Sequence, residues 1–565
     1  MTLNIKVRVP PAAAVAALTD GGVDPLLARI YAARGIVSPQ QLATGTGGLL
    51  PPERMHNLER MAALLADAIA AGKKLLIVAD YDADGATACA VGIRALRAFG
   101  ARVDYLVPNR FEYGYGLTPE IVELAHREKN PDLLITVDNG IASVDGVATA
   151  NRLGMRVLVT DHHLPGAQLP DALCIINPNQ AGCGFPSKNL AGVGVMFYLM
   201  LALRAELRKR GAFDGKTGPN LSALLDLVAL GTVADVVKLD DNNRILVQQG
   251  LQRMRAGRTW PGIAALMKVA GRDPAKTSTY DLGFVLGPRL NAAGRLEDMA
   301  LGIECLITDD VATAERCASE LDRINRERRL IENDMHADAL AVLGQLPQTD
   351  SYSLSLFDAG WHPGVIGILA SRIRERLHRP VIAFAPGSNG EIKGSGRSIP
   401  ALHLRDALDL VAKRDPGLLL KFGGHAAAAG LTLRAGDFER FRDAFEAAAC
   451  ELLSPADLER VIETDGALAP ELMTLENAAL LERVVWGQGF PPPTFDGEFV
   501  VVRQRVVGER HMKLRVACGG REFDAMLFAR AEPLPPRVRT VYRLASNEYN
   551  GQRSVQLTIE QWEAL

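Results

Sequence analysis

The sequence predicts an α/β protein in three parts: a parallel, doubly wound sheet, a smaller α/β unit reached through a long helix, and a C-terminal all-β unit. Three observations predict it. Between Lys73 and Asp161, apolar runs of strand length alternate with stretches of helix length. Strands that are apolar on both faces and separated by helices belong to covered parallel sheets. From Val311 to Leu343 runs a polar helical pattern containing Leu321-Asp-Arg-Ile-Asn-Arg-Glu-Arg-Arg, the mark of a solvated helix that joins two lobes. From Phe495 onward short alternating strands recur, with the spacing of a small barrel or sandwich.

Along the chain, the first strands are expected at Leu75–Ala79, Val103–Val107, Leu133–Val137 and Arg156–Thr160, with helices at Ala86–Phe99 and Pro119–Arg127 between them. Helix-like blocks follow at Val195–Arg210 and Asn220–Leu230. The second α/β pattern runs from about Tyr352 to Cys450, with strands near Ser353–Phe357 and Val381–Phe384. After Cys450 an acidic stretch reads as helical to about Trp486, and Phe490-Pro-Pro-Pro-Thr marks a boundary. The all-β strands are expected at Phe499–Val507, Met512–Ala517, Glu522–Phe528 and Val555–Ile559. The expected domains are therefore 1–310, 311–345 (the joining helix), 346–450, 451–494 (an acidic helical connector) and 495–565.

The totals exclude several classes. With 565 residues, 48% hydrophobic and 23% charged, the chain is an ordinary globular composition with ample core. A formal net charge of -3 gives no whole-chain signal for nucleic acid, so any polyanion site must be local. Seven scattered cysteines without a C-x-x-C pair argue against a disulfide framework or a zinc ribbon. The Ala-rich run Ala12 to Leu18 follows Lys6 and Arg8 but lacks a cleavage pattern, and there is no long uncharged apolar stretch. A cytoplasmic protein without membrane association is expected.

The acidic residues fall at the strand ends. Strand Leu75–Ala79 runs into Asp80-Tyr-Asp82-Ala-Asp84-Gly85, Leu133–Val137 into Asp138-Asn139-Gly140, and Arg156–Thr160 into Asp161-His162-His163. Open parallel sheets bind ligands outside the carboxyl ends of their strands, so one rim collects carboxylates and two imidazoles. Such a cluster repels itself unless cations neutralise it. Hard oxygens with imidazole suit Mn²⁺ or Mg²⁺, and a pair of ions about 3.5–4 Å apart can clamp a phosphoryl group and activate water for in-line attack. Asp-x-Asp-x-Asp-Gly alone also fits a solvated turn or the start of a calcium loop, but the twelfth position from Asp80 is Val91 rather than Glu. Asp235, in Gly231-Thr-Val-Ala-Asp235, is a further candidate ligand or else a helix-terminal residue.

These residues resemble the core motifs of the DHH phosphoesterases: Asp80-Tyr-Asp82-Ala-Asp84-Gly85, Val137-Asp138-Asn139-Gly140, Asp161-His162-His163 and Gly231-Thr-Val-Ala-Asp235, in the family's order. Longer strings resemble the family's single-strand exonucleases: Asn189-Leu-Ala-Gly-Val-Gly, Gly287-Pro-Arg-Leu-Asn-Ala-Ala-Gly-Arg295, His362-Pro-Gly-Val-Ile-Gly-Ile and Phe422-Gly-Gly-His425. The resemblance covers nearly the whole chain. It implies a parallel-sheet DHH domain, a smaller α/β DHH-associated domain acting as a substrate clamp across a cleft, and a C-terminal OB-like barrel. It implies Asp82 and Asp138 on one metal, and Asp84, Asp138, His162 and Asp235 on the other, with His163 facing the scissile phosphate. Many relatives carry a His four residues before Asp82, where this chain has Val78, so Asp80 is the candidate to make up the first site. Asp161 is expected to orient a histidine rather than bind metal.

The remaining candidates concern substrate. Arg289, Asn291 and Arg295 lie in a Gly-flanked segment read as a loop, where guanidinium forks can hold phosphate oxygens. Gly394-Ser395-Gly396-Arg397-Ser398 and Gly423-Gly424-His425 offer main-chain N–H groups, or are simply turns. By the resemblance, Ser395 and Arg397 with Arg110 are candidates to grip a 5′-phosphate. In Arg110-Phe111-Glu-Tyr113-Gly-Tyr115, Tyr113 and Tyr115 could stack on unpaired bases or pack inward. Between Val501 and Arg553 there are eleven Lys/Arg, among them Arg503, Arg505, Lys513, Arg515 and Arg543, against five Asp/Glu, which suits an OB-type groove for a single strand or a solvated basic face. The expected function is a two-metal, 5′→3′ exonuclease on single-stranded DNA releasing 5′-mononucleotides in recombination and repair, with a single-strand-binding protein or a helicase as candidate partner. The alternatives are a small-molecule phosphohydrolase, which would not need the basic C-terminal unit, and a strand-binding scaffold, which would not need the Asp/His set.

Overall fold

The computed structural model describes residues 3–108, 113, 116–213, 217–345 and 351–565, the side chains of 341–345 excepted. The chain divides into two compact units, one made of Val7–Arg323 and Glu463–Leu565, the other of Ile324–Ile462 with residues up to Lys6.

The first unit is built on five parallel strands, β1 (Lys74–Ala79), β2 (Arg102–Leu106), β3 (Leu133–Val137), β4 (Arg156–Thr160) and β5 (Cys174–Ile176), in the order β2-β1-β3-β4-β5. Every residue of β3 is buried, and so is all of β1 after Lys74, as a sheet covered on both faces requires. Strand β5 escapes sequence reading because three residues carry no period. Helix α1 (Ala83–Ala98) packs closely because it is rich in Ala and Gly. A Cβ at Gly92 would stand 2.8 Å from Ile77 Cδ1.

Register decides what the rim presents. Ala79 pairs with Val137 and Val137 with Thr160, so the next residues, Asp80, Asp138 and Asp161, leave the sheet level with one another. Their N–H groups donate across to Val137 O, Thr160 O and Ile176 O at 3.2, 3.1 and 3.1 Å, one ladder position beyond the strands. Adjacent strands lie about 4.8 Å apart, which brings these carboxylates into mutual range. Helices α2 (Gly192–Lys209) and α3 (Leu225–Ala234) complete the surroundings, followed by a π-helix, Asp281–Leu286, that runs directly into α4 (Gly287–Leu296). The Arg289–Arg295 segment is thus a helix, and the loop expectation is corrected. Its glycines serve close packing: a Cβ at Gly287 would meet Ala234, and one at Gly294 would overlap Tyr81 O.

Helix α5 (Val311–Gln345) follows. The second unit holds β6 (Leu354–Phe357), β7 (Val381–Pro386), β8 (Glu391–Arg397), β9 (Lys421–Gly424) and β10 (Ala428–Arg434) in the order β9-β10-β8-β7-β6, with α6 (Ile366–Leu377) after β6. The Gly-Ser-Gly string is a strand rather than a turn. Gly394 and Gly396 face the core, where a Cβ would crowd Phe384 and Leu404 at 2.5 and 2.7 Å.

The stretch 451–494 is not a helical connector. Beyond the helix ending at Leu452 it holds a strand, Val461–Thr464, and one two-turn helix, Leu475–Glu482. Val461, Ile462 and Thr464 are β-branched and favour extended chain. Asp465 is engaged in a buried bidentate pair with Arg34 at 2.7 and 2.9 Å, which turns part of the acidic run into an anchor for the chain entering the barrel. The barrel closes β11 (Phe495–Val507), β12 (His511–Cys518), β13 (Arg521–Leu527), β14 (Arg537–Tyr549) and β15 (Gln552–Ala564) in the order β11-β12-β13-β15-β14, with β14 returning to β11. Only β13 and β15 run parallel. This is the five-stranded closed barrel of the OB type.

Candidate active site

Seven side chains meet at the rim of the parallel sheet. Their ligand atoms fall into three groups close enough to share an ion: Asp80, Asp82 and Asp138; Asp84, His162 and Asp235; and Asp138, His162 and His163. His162 Nε2 is 3.1 Å from Asp138 Oδ1, 3.5 Å from Asp235 Oδ2 and 3.9 Å from Asp84 Oδ2. Asp138 joins the first group to the third and His162 the second to the third, so the set is continuous.

Two of the carboxylates are held by main-chain donors. Asp82 caps α1, accepting from Asp84 and Gly85 N–H at 2.9 and 3.0 Å. Asp84 accepts from Gly192 and Val193 N–H at 2.6 and 2.9 Å, the first turn of α2, whose dipole favours a carboxylate there. Gly192 is required: its Cβ would lie 2.6 Å from Asp138 Oδ1. Asp138 itself has φ 62, and Val236, directly after Asp235, has φ 64. Left-handed backbone in a non-glycine residue costs on the order of 1–3 kcal/mol and gathers at functional sites.

Electrostatics demand cations. Burial, then Asp82, pushes Asp80 well above the usual carboxylate range. Burial and the surrounding carboxylates do the same to Asp138 and Asp235. Burial and Asp82 raise Asp84 to about 7, although its two backbone donors pull the other way. Such groups remain jointly ionised at neutral pH only beside positive charge. Asp138 Oδ1 and Asp235 Oδ2 are buried without a hydrogen-bond partner among the described residues. The donor set therefore fits hard divalent ions, and the groups above name the residues that would hold them. Val78 is fully buried, whereas Asp80 stands in the group with Asp82 and Asp138.

Asp161 differs from its neighbours. Its Oδ1 accepts from the N–H groups of His162 (2.7 Å) and His163 (3.0 Å) and lies 2.8 Å from His163 Nδ1, while Oδ2 accepts from Ile141 N–H at 2.9 Å. Burial alone would raise it, but the His163 bond and charge hold it low. Burial opposes charge on His163 in turn, yet Asp161, with Asp80 and Asp82, brings the imidazole to about 9. Asp161 thus holds the His163 ring through Nδ1.

Sequence reasoning missed a supporting layer of amides. Asn177 and Asn179 donate to His163 O (2.8 Å) and His162 O (2.6 Å) from just beyond β5, the strand it also missed. Asn139 ties β1 to β3 through Val78 O and Val137 O. The same strand-end rule that singled out the aspartates would have found Asn177, had β5 been seen.

The substrate candidates divide. Asn291 Oδ1 accepts from Ala83 N–H at 2.8 Å, so it holds the Asp82–Asp84 loop. Arg289 engages Asp322 at 2.8 and 3.0 Å and Val285 O at 2.7 Å. Arg295 is half-buried near the end of α4. In the second unit, Arg397 donates to Ser395 Oγ (3.2 Å) and Gly396 O (2.8 Å). A Cβ at Gly367, in the first turn of α6, would stand 2.9 Å from both Ser395 Oγ and Arg397 Nη2. His425 is exposed, its N–H donating to Ala428 O at 2.8 Å. Tyr113 packs on the apolar cluster that includes Leu117 and Ile121, the inward of its two readings. Arg110 and Tyr115 lie outside the described residues. On the barrel, register sets Arg503 opposite Arg515 and Arg505 opposite Lys513. Like charges directly across a ladder are unfavourable; Arg515 is offset by Glu522 and Asp524 at 3.0 and 3.1 Å, and Arg503, Arg505 and Lys513 form a basic stripe that suits a bound polyanion.

Family models match the chain in three places: the N-terminal domain of the DHH family at residues 74–232, the DHHA1 domain at 350–451, and the RecJ OB domain at 464–561. The chain is 50% identical over 550 residues to the single-stranded-DNA-specific exonuclease RecJ of Escherichia coli, covering 95% of each, and 52% identical to that of Dickeya dadantii over 95% of each. Among solved structures, RecJ of Thermus thermophilus in complex with Mn²⁺ superposes with a TM-score of 0.81 at 31% identity, covering 100% of this chain and 80% of that one. The same protein in complex with Mg²⁺ gives 0.78 at 29% identity, covering 100% and 79%. No helix among the described residues is long and apolar enough to cross a membrane.

Proposed function

This chain belongs to the RecJ family of single-stranded-DNA-specific exonucleases, and from that premise we propose that it is a metal-dependent exonuclease that degrades single-stranded DNA from the 5′ end to 5′-mononucleotides. The observation that carries the proposal is the continuous Asp/His rim with Asp138 at its junction. Asp82 and Asp138, with Asp80 in place of the buried Val78, would hold one ion; Asp84, Asp138, His162 and Asp235 would hold the other. Bound there, Mn²⁺ or Mg²⁺ would supply Lewis acidity at the phosphate and an activated water.

The protein's own groups do the rest. Asp161 fixes the His163 ring through Nδ1, leaving Nε2 to hold a phosphate oxygen. Asn291 and the α2 N-terminus keep the loop and Asp84 in place before substrate arrives, which removes reorganisation from the reaction. Ser395 and Arg397, beside the first turn of α6, would receive the terminal phosphate, and the barrel stripe would track the strand behind it. The same proposal has the enzyme act in the cytoplasm, with a single-strand-binding protein or a helicase as candidate partner.

The test digests single strands labelled at either end, beside duplex and pyrophosphate, with Mn²⁺ present. The expected products are mononucleotides released first from the 5′ label. Internal cuts, or attack on pyrophosphate with strands left intact, would reverse the assignment.

A further inference from the structure

We infer that Tyr280 and Phe284 form a stacking platform for unpaired bases between the barrel and the metal rim; this rests on the strand-degrading function proposed above. The two rings stack with centroids 5.1 Å and planes 24° apart, yet they are 57% and 67% exposed. Tyr280 immediately precedes, and Phe284 lies within, the π-helical turn Asp281–Leu286, a geometry that is rare and concentrates at functional sites. Leu282, Val285 and Leu286 of the same turn are buried, so it is anchored while its aromatic face is turned outward. A single exposed apolar side chain is ordinary on any protein surface. A fixed pair of stacked rings offers a flat π-face that any base can continue.

Contacts within this unit place the pair along one route. Towards the rim, a Cβ at Gly283 would lie 3.3 Å from Val233 Cγ1 and one at Gly287 3.1 Å from Ala234 Cβ, the residues that lead into Asp235. Towards the barrel, Lys276 Nζ meets Glu548 Oε2 at 2.8 Å near the end of β14, where Tyr549 is 73% exposed. The chain between is held: Ser278 N–H and Oγ both donate to Asp281 Oδ2 at 2.9 Å, and Arg255 Nε donates to Thr277 O at 2.8 Å. The occupant these observations favour is a base of the substrate strand. Its flat face matches the rings, and the platform lies between a basic barrel and a phosphate-cutting site. Bases in a duplex already stack on their neighbours, so such a platform selects single strands without reading sequence.

The experiment uses the full chain with Mn²⁺. The double variant Tyr280→Ala/Phe284→Ala is expected to raise KM for a long single strand about tenfold or more, with kcat on a dinucleotide unchanged. Tyr280→Phe/Phe284→Trp, which keeps both rings, should hold KM near the wild-type value. On a strand made abasic behind its terminal nucleotides, wild type and the Ala variant should show equal KM. An unchanged KM on the normal strand overturns the platform, as does an equal defect on the abasic strand. Failure of the parent reading would appear in the wild-type reaction itself, as intact single strands, and not in the ratio of variant to wild type.

Discussion

The sheet rim and the barrel treat charge in opposite ways. At the rim, Asp80, Asp84 and Asp138 are buried, each in a group of Asp and His ligand atoms that lie within 4.8 Å of one another. On the barrel, Arg503, Arg505 and Arg515 stand in solvent on facing strands. Two unit charges about 4 Å apart interact by about 1 kcal/mol in water and about 4 kcal/mol at the effective dielectric of a protein surface. Concentrating carboxylates out of water therefore makes a site that must be completed by cations, and local geometry sets its chemistry. Spreading guanidinium groups in water makes a surface that gathers a polyanion weakly at each contact and in proportion to their number.

The largest expected effect falls on the rim. Asp138→Ala should lower strand hydrolysis by roughly a thousandfold or more, since it removes the ligand shared by two groups of the set. The affinity for single strands should change little. Single-turnover hydrolysis and fluorescence anisotropy separate the two. A parallel loss of binding would erase the contrast, because the rim would then be acting as a docking surface.

The barrel should give the reverse pattern. Arg503→Ala, Arg505→Ala and Lys513→Ala together are expected to raise KM for long strands by about ten- to a hundredfold, with a log–log salt slope shallower by about two. Turnover of a dinucleotide should stay as in the wild type. If kcat falls on the dinucleotide too, the two regions are not separable functions.

How much of this was legible depended on what each residue type needs. The rim was visible because Asp80, Asp138 and Asp161 each follow an apolar strand, and strand ends in a parallel sheet share one edge. The barrel was visible because β-rich alternation survives even in a basic sequence. Helix α4 was read as loop, because Gly287 and Gly294 look like chain-turning residues; their purpose, close approach to Ala234 and to Tyr81 O, exists only in three dimensions. For the same reason Asn291 looked like a phosphate ligand, although its partner is an N–H some two hundred positions away in the chain. The opposed pairs Arg503–Arg515 and Arg505–Lys513 needed the strand register, which composition does not contain.

Asp226 gives the smallest and sharpest test of what separates the rim from mere burial. It is fully buried in α3, nine residues before Asp235, and burial raises it to about 6 against the pull of the Trp260 and Leu227 N–H groups and Arg253. Leu227 N–H donates to Oδ1 at 2.9 Å and Trp260 N–H to Oδ2 at 3.1 Å, so the carboxylate is satisfied by the chain, and among the described residues it belongs to no Asp/Glu/His/Cys group close enough to share an ion. Between the unfolded value of 3.8 and about 6 the folded protein holds the extra proton, so this group makes stability fall as pH rises through that window, with no further change above it. Asp226→Asn should remove that slope, a difference of at most about 3 kcal/mol across the window. Denaturation followed at several pH values, compared with wild type, checks it; profiles that run parallel would overturn it. Adding Mn²⁺ should stabilise both proteins equally, because the ion answers to converging carboxylates and Asp226 stands alone. A stabilisation lost with the Asn variant would mean that burial by itself, without convergence, is enough to draw the cation.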